Sequence, residues 1–209
     1  MLTINKDLWL SADQHFGHTR IHEFEPMRRD QAIAQGFDNC EELIIANHNA
    51  VVKPNDSVLF LGDFAFKNPL VYSKNLNGNK HLILGNHDRK GTQPYADFAS
   101  VYRGVHVMTP MGMPFVHTNE DDLLSALIVP YEGKVLGFCH YAVGYDEEYD
   151  NNRVLILWRK EIIAKIFAHF GVTTVIHGHL HSKDSGLENY HNVCLERHNL
   201  TPVRLGDLL

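Results

Sequence analysis

The stretch LILGNHD, residues 82–88, runs apolar for three positions, turns on Gly85 and stops on Asn86, His87 and Asp88. A short leucine-rich run bounded by a turn reads as a strand buried on both faces. Ending such a strand on three adjacent polar groups demands partners for them, because buried polar groups are almost always satisfied. Four more stretches have the same form: DLWLSADQH (7–15), SVLFLGD (57–63), KVLGFCH (134–140) and VTTVIHGHLH (172–181). Each is apolar and each closes on Asp or His.

Helical patterns lie between these strands. In DNCEELIIANHNAVV (38–52), Asp38 is placed as the N-cap with Glu41 three residues later, a capping-box spacing, and Leu43, Ile44, Ala46 and Val51 recur on one face. In LWRKEIIAKIFAHFG (157–171), Ile162, Ile163, Ile166, Phe167 and Phe170 form the stripe and Gly171 the C-cap. A weaker helix covers 70–76 and stops at NGN. Strands alternating with helices predict a layered α/β fold. No element is expected in HFGHTRIHEFEPMRRDQ (15–31) or MTPMGMPFVHTNEDDLL (108–124). Long loops of this kind tend to be functional, so the determinants of specificity are expected in 16–35 and 108–122.

The 209 residues are 44% hydrophobic and 21% charged, which suits one sizeable core and a single domain over 1–209. A formal charge of -6 disfavours a sequence-independent duplex nucleic-acid binder but not a nucleotide substrate. Three cysteines without a CxxC fit a reducing compartment, and no run has signal-peptide or membrane-span length. The expectation is a cytoplasmic protein that does not engage membranes.

The unusual count is 15 histidines. In layered α/β sheets ligands bind beyond the carboxyl ends of strands. There the chain places Asp13 and His15, Asp63, Asn86 and His87, His140, and His179 and His181. Mixed carboxylate and imidazole donors suit Mn, Fe, Zn, Co or Ni better than Ca or Mg. They are too many for one four-coordinate ion and about right for two ions sharing a carboxylate. Of the other histidines, His18 and His22 lie in the polar loop after the first donors, His48 is expected to pack on its helix and His81 to be at the surface. Cys139 points away from His140 by strand alternation and is expected in the core.

The order D-x-H, GD, GNHD, H, GHxH resembles the calcineurin-like metallophosphoesterase superfamily, and SADQHFGH with NHNAVVKPNDSVLFLGDFAF resembles a small bacterial and phage branch of it. The resemblance implies a four-layer α/β/β/α sandwich with two divalent ions, Mn²⁺ foremost and Fe, Zn, Ni or Co as alternatives. It implies Asp13, His15 and His181 on the first ion, Asp63 bridging, and Asn86, His140 and His179 on the second. His87 would contact phosphate and Asp88 would hold it in the needed tautomer. His18 and Arg28 are candidates for substrate contact. The implied activity is hydrolysis of a phosphomonoester or phosphodiester, with a small nucleotide-type substrate, by attack of a metal-bound hydroxide. The alternatives are a nuclease, or a non-catalytic scaffold that binds partner proteins.

Overall fold

The faces of the expected strands alternate between two different apolar environments. Leu8, Leu10, Leu59, Leu61 and Ile83 share one cluster with Leu127, Val129, Leu136, Phe138 and Ile176. Their neighbours Trp9, Val58, Phe60 and Leu82 point the other way and pack with Ala32, Leu43 and Ile44. Ala126, Ile128, Cys139 and Val175 form a third cluster with Ile156, Ile163 and Phe167. A strand buried on both faces cannot show polar alternation, which is why these runs are almost continuously apolar.

The structure is a computed structural model and describes residues 2–88, 93–109, 114–117, 124–145 and 153–209. Its strands are β1 (Trp9–Ser11), β2 (Ser57–Leu61), β3 (Asn79–Ile83), β4 (Ser100–Tyr102), β5 (Val105–Met108), β6 (Pro114–His117), β7 (Ala126–Tyr131), β8 (Lys134–Cys139), β9 (Thr174–His177), β10 (Tyr190–Asn192) and β11 (Val203–Arg204). Its helices are α1 (Ile21–Phe24), α2 (Pro26–Ala34), α3 (Cys40–Val51), α4 (Pro69–Ser73), α5 (Arg153–His169) and α6 (Leu205–Leu208). Two sheets result, ordered β11-β1-β2-β3-β4 and β10-β9-β8-β7-β5-β6. In the first, β1 through β4 pair in parallel and β11 is antiparallel to β1. In the second, β10, β9 and β8 are parallel to one another and β7 is antiparallel to β8. The protein is therefore a mixed α/β fold, and the five strands expected to carry polar ends are β1, β2, β3, β8 and β9.

Parallel pairing brings the ends of β1, β2 and β3 to one edge, and those of β8 and β9 to one edge of the second sheet. The two edges are tied directly: the His140 ring Nδ1 meets the Leu61 carbonyl at 2.8 Å, and His179 N–H donates to Asp13 Oδ2 at 2.8 Å.

Several expectations need correction. The N-cap of α3 is Asn39, whose side chain accepts from Glu42 N at 2.9 Å, and not Asp38. Glu41 instead accepts from Gly17 N at 2.6 Å and from the Tyr72 hydroxyl at 2.9 Å, so it ties the loop after β1 to α4. The stretch 15–31 is not irregular: Ile21 and Ala32 are buried and anchor α1 and α2. Its sequence hid this because the buried residue between them is the fully enclosed Arg28 rather than an apolar one. Phe170 is 39% exposed and leaves the α5 stripe, whereas Ile163 and Phe167 are buried as expected. Gly171 adopts φ 65° just beyond α5, with Val172 N–H bonding back to the Phe167 carbonyl, as a helix-terminating glycine does. In the segment 108–122, residues 110–113 and 118–122 lie outside the described residues. No helix among the described residues is long and apolar enough to cross a membrane.

His81 is buried rather than at the surface, and its Nδ1 lies 2.6 Å from the Ser100 hydroxyl of the adjacent strand. His48 packs as expected, its ring stacked 5.9 Å from Phe60 and its Nε2–H donating to the Asn77 carbonyl at 2.9 Å. Burial, aided by Lys80, lowers the His48 pKa to about 4 from 6.5. The folded chain thus binds fewer protons at this site than the unfolded chain between those two values. The contribution is complete above about pH 6.5 and is lost as pH falls toward 4. We expect the urea midpoint to drop across that window, and His48→Gln, which can keep the bond to Asn77, to flatten the drop. An unchanged pH slope in the variant would contradict the assignment.

Candidate metal centre

The turns after β1, β2 and β9 carry their polar residues in left-handed backbone. Asp13, His15, Asp63, His179 and His181 have φ of 60°, 52°, 52°, 71° and 52°. They are half of the ten non-glycine residues with positive φ among those described. Each such residue costs about 1–3 kcal/mol and persists only where its surroundings hold it. Here they do. Asp13 N–H bonds the Gly62 carbonyl at 3.1 Å, His15 N–H the Asp63 carbonyl at 3.0 Å, and His179 N–H the Asp13 Oδ2 at 2.8 Å. The backbones approach so closely that a Cβ on Gly85 would strike the Asp63 carboxylate, and one on Gly178 the Asp13 carboxylate. This is why glycine precedes the polar group in the turns after β3 and β9.

The side chains converge in two groups around Asp63. On one side, Asp13 Oδ1 faces His15 Nε2 at 3.4 Å and His181 Nε2 at 3.7 Å, and the two imidazoles stack at 4.9 Å. On the other, His140 Nε2 meets Asn86 Oδ1 at 2.9 Å and His179 Nδ1 at 3.2 Å. Asp63 Oδ2 lies between them, 3.7 Å from His15 Nε2 and 3.5 Å from His140 Nε2. All seven residues expected as ligands are therefore brought together. Three of their side chains, Asp13, Asp63 and His140, are essentially enclosed.

The donor set fits cations. Asp13 Oδ1 and both ring nitrogens of His15 are buried without a hydrogen-bond partner among the described residues. His140 Nδ1 is committed to the Leu61 carbonyl, an acceptor, so its Nε2 in the neutral ring turns a lone pair toward Asn86 Oδ1 and Asp63 Oδ2. Facing lone pairs need a positive charge between them. The electrostatics make the same demand: burial opposes charge on His140, yet Asp63 and then Asp13 outweigh it and push the ring up to about 10. Burial raises Asp63, but His140 and His15 outweigh it and hold it far below the usual carboxylate range. Among the described residues, three groups have the geometry to hold an ion: Asp13, His15 and His181; Asp13, Asp63 and His140; and Glu25, His181 and Glu196. Asp13 thus borders both halves of the cluster, whereas the resemblance puts it on one ion.

His87 stands at the mouth. Its side chain is 46% exposed, its ring stacks on Phe66 at 4.7 Å, and its Nε2 lies 4.0 Å from Asp63 Oδ2. Asp88 does not serve it. Among the described residues, the partners of Asp88 are the amides of Asp63, Phe64 and Gly85 at 2.8–2.9 Å and the Tyr95 hydroxyl at 3.4 Å. Asp88 is thus a clamp on two turn backbones; burial, and then the charge of Asp63, push its carboxyl up to about 7. Arg28 is not at the substrate surface either: its fork is fully buried and donates to the carbonyls of Asp13 and Gln14 and to Glu196. His18 does sit beside the cluster, 5.8 Å from the His15 ring and edge-on to Phe66 at 4.3 Å. It also lines a cleft of about 450 Å³ with Thr19, His22, Arg29, Asp38 and Asn39. Cys139 is core, its thiol buried and pushed up to about 12 by burial. Sequence reasoning missed Phe66, Glu25, Glu196 and Cys194, whose thiol donates to Asp13 Oδ2 at 3.1 Å. Phe66 sits only three residues past Asp63, whereas Glu25, Glu196 and Cys194 carry no motif signal because each reaches the site across the fold.

Comparison with known proteins agrees on architecture. No family model matches the chain. An uncharacterised protein of Methanocaldococcus jannaschii, MJ1445, is 28% identical over 156 residues, covering 68% of this chain and 73% of that protein. The crystal structure of AQ665, a protein of unknown function from Aquifex aeolicus, superposes with a TM-score of 0.68 at 23% identity over 94% of each chain. That likeness shows a shared fold. An archaeal phosphodiesterase structure aligns over 90% of this chain with a TM-score of only 0.36 and 12% identity, too remote to carry an argument.

A site built this way has the geometry to hold ions only in the folded chain, so a divalent cation that binds it, with Mn²⁺ as the probe, stabilises the fold. At a hundredfold excess over Kd the gain is about 2.7 kcal/mol for one site. We expect thermal unfolding to shift upward with Mn²⁺ and back with chelator, and Asp63→Asn to abolish the shift. A melting temperature indifferent to divalent ions would contradict the site.

Proposed function

We propose that this chain is a two-metal phosphoesterase of the calcineurin-like kind, acting on a small phosphoester of nucleotide type. The reading rests on one observation above the rest: Asp63 Oδ2 lies between two groups of imidazole and oxygen side chains, within 4 Å of an imidazole on each side. A shared carboxylate between two ions about 3.5–4 Å apart is the arrangement used in phosphoester hydrolysis. The three apolar clusters support the four-layer α/β/β/α arrangement of that superfamily, in one domain.

In this reading Asp13, His15 and His181 hold one ion, Asn86, His140 and His179 the other, and Asp63 both. When bound, such cations supply Lewis acidity toward phosphoryl oxygens and make water more acidic. The chain's own residues do the rest. The Leu61 carbonyl and Glu196 face the Nδ1 atoms of His140 and His181 from outside, so each neutral ring turns its Nε2 lone pair toward the cluster before anything binds. His87, exposed and braced on Phe66, meets a phosphoryl oxygen or protonates the leaving oxygen. The cleft beside His18 receives the leaving group, where Arg29, Asp38 and Asn39 offer both donors and acceptors. Its volume is within the usual range for small-molecule sites.

The test is hydrolysis of bis-p-nitrophenyl phosphate and p-nitrophenyl phosphate with added Mn²⁺. We expect turnover by the wild-type chain, loss of both metal and activity in Asp63→Ala, and a kcat about 10²–10⁴-fold lower in His87→Ala with metal content unchanged. Loss of metal from His87→Ala would overturn its role. Metal bound without turnover of these esters or of nucleotide esters would favour a binding scaffold.

A further inference from the structure

We infer that the buried pair Arg28–Glu196 is a positioning device for His181, selecting the tautomer that presents Nε2 to the ion held with Asp13 and His15. The inference rests on the metal-binding reading of the site and goes beyond it. Glu196 Oε1 receives three donors: Arg28 Nε at 2.7 Å, Arg28 Nη2 and His181 Nδ1 at 3.0 Å. A carboxylate beside Nδ1 accepts its proton, which leaves Nε2 as the ring's free lone pair. That Nε2 faces Asp13 Oδ1 at 3.7 Å.

Arg28 does two things at once. The same guanidinium that pairs with Glu196 also donates Nη1 to the Gln14 carbonyl at 2.8 Å and Nη2 to the Asp13 carbonyl. The planar fork therefore reads the left-handed turn that carries Asp13 and His15, and the residue that orients His181, in one rigid group. Two of the expected ligands lie near residue 14 and one at 181, so this fork registers the two ends of the chain against each other. Lysine, a point charge, cannot hold three acceptors in that plane.

Glu25, His181 and Glu196 also have the spacing of an ion site of their own, with Ser182 donating to Glu25 at 3.1 Å. An ion there would take His181 Nδ1 and force the proton onto Nε2, against Asp13. The two arrangements exclude each other. The donation to Glu196 already in place, and the charge of Arg28 on the same oxygen, favour the positioning role.

The experiment measures Mn²⁺ binding by titration calorimetry on wild-type, Glu196→Gln and Arg28→Lys chains, with metal-free melting temperatures as a fold control. Outer partners of metal-bound histidines typically contribute about 10–100-fold in affinity. We expect two ions in the wild type, and one of them weakened about 10–100-fold in both folded variants while the other is unchanged. Wild-type affinity at both sites in a folded Glu196→Gln chain overturns the inference while leaving the metal centre intact. Three ions per wild-type chain would also overturn it. A wild-type chain that binds no divalent ion overturns the underlying reading as well. Should the variants not fold, imidazole ¹⁵N spectra of the Zn²⁺-loaded wild type decide. An Nδ1–H on His181, with Nε2 ligated, supports the device, and an ligated Nδ1 rejects it.

Discussion

Two buried carboxylates surrounded by imidazole rings form the constraint on which this structure depends. Asp13 and Asp63 are enclosed where the two sheets' strand ends meet, with Nε2 of His15, His140 and His181 within 4 Å of their oxygens. Burying charge without a counter-charge is prohibitively costly, so the site must gain protons or cations. The upward push on His140 expresses that need.

The surrounding fold is organised to tolerate this arrangement. Left-handed turns after β1, β2 and β9 are unfavourable for residues other than glycine, yet they aim consecutive side chains into one small volume. The compensation is a set of backbone clamps. Asp88 accepts the amides of Asp63, Phe64 and Gly85, and Asp13 accepts the amide of His179. Apolar packing on both faces of each strand fixes where those turns begin, so the strained segments are anchored by rigid elements at their starts. The strain and the clustered acceptors are thus two consequences of one geometry.

Much of this was legible in the chain. The apolar runs of β1, β2, β3, β8 and β9 are buried on both faces and read as such, and their polar ends converge as expected. The orienting role that the resemblance implies for Asp88 is not seen, because its carboxylate turns away to the amides of Gly85 in its own turn and of Asp63 and Phe64 in the turn after β2. Arg28 failed for a related reason. A basic residue in a polar, aromatic stretch reads as solvated, and only the carbonyls of Asp13 and Gln14, with Glu196 168 residues away, make its burial favourable. His81 was misread because its partner, Ser100, lies on an edge strand too short to announce itself.

By itself the sequence determined the element types around the site, the strand ends that bear donors and the chemical class of those donors, since these follow from local periodicity and side-chain chemistry. Tertiary structure alone decided which donors face each other, that Asp63 sits between two groups, that Asp13 borders both, and that His181 is backed by Glu196 and Arg28. Such facts depend on distances between residues far apart in the chain. A pattern of residue types carries no information about those distances until parallel pairing and apolar packing have set the strand ends side by side.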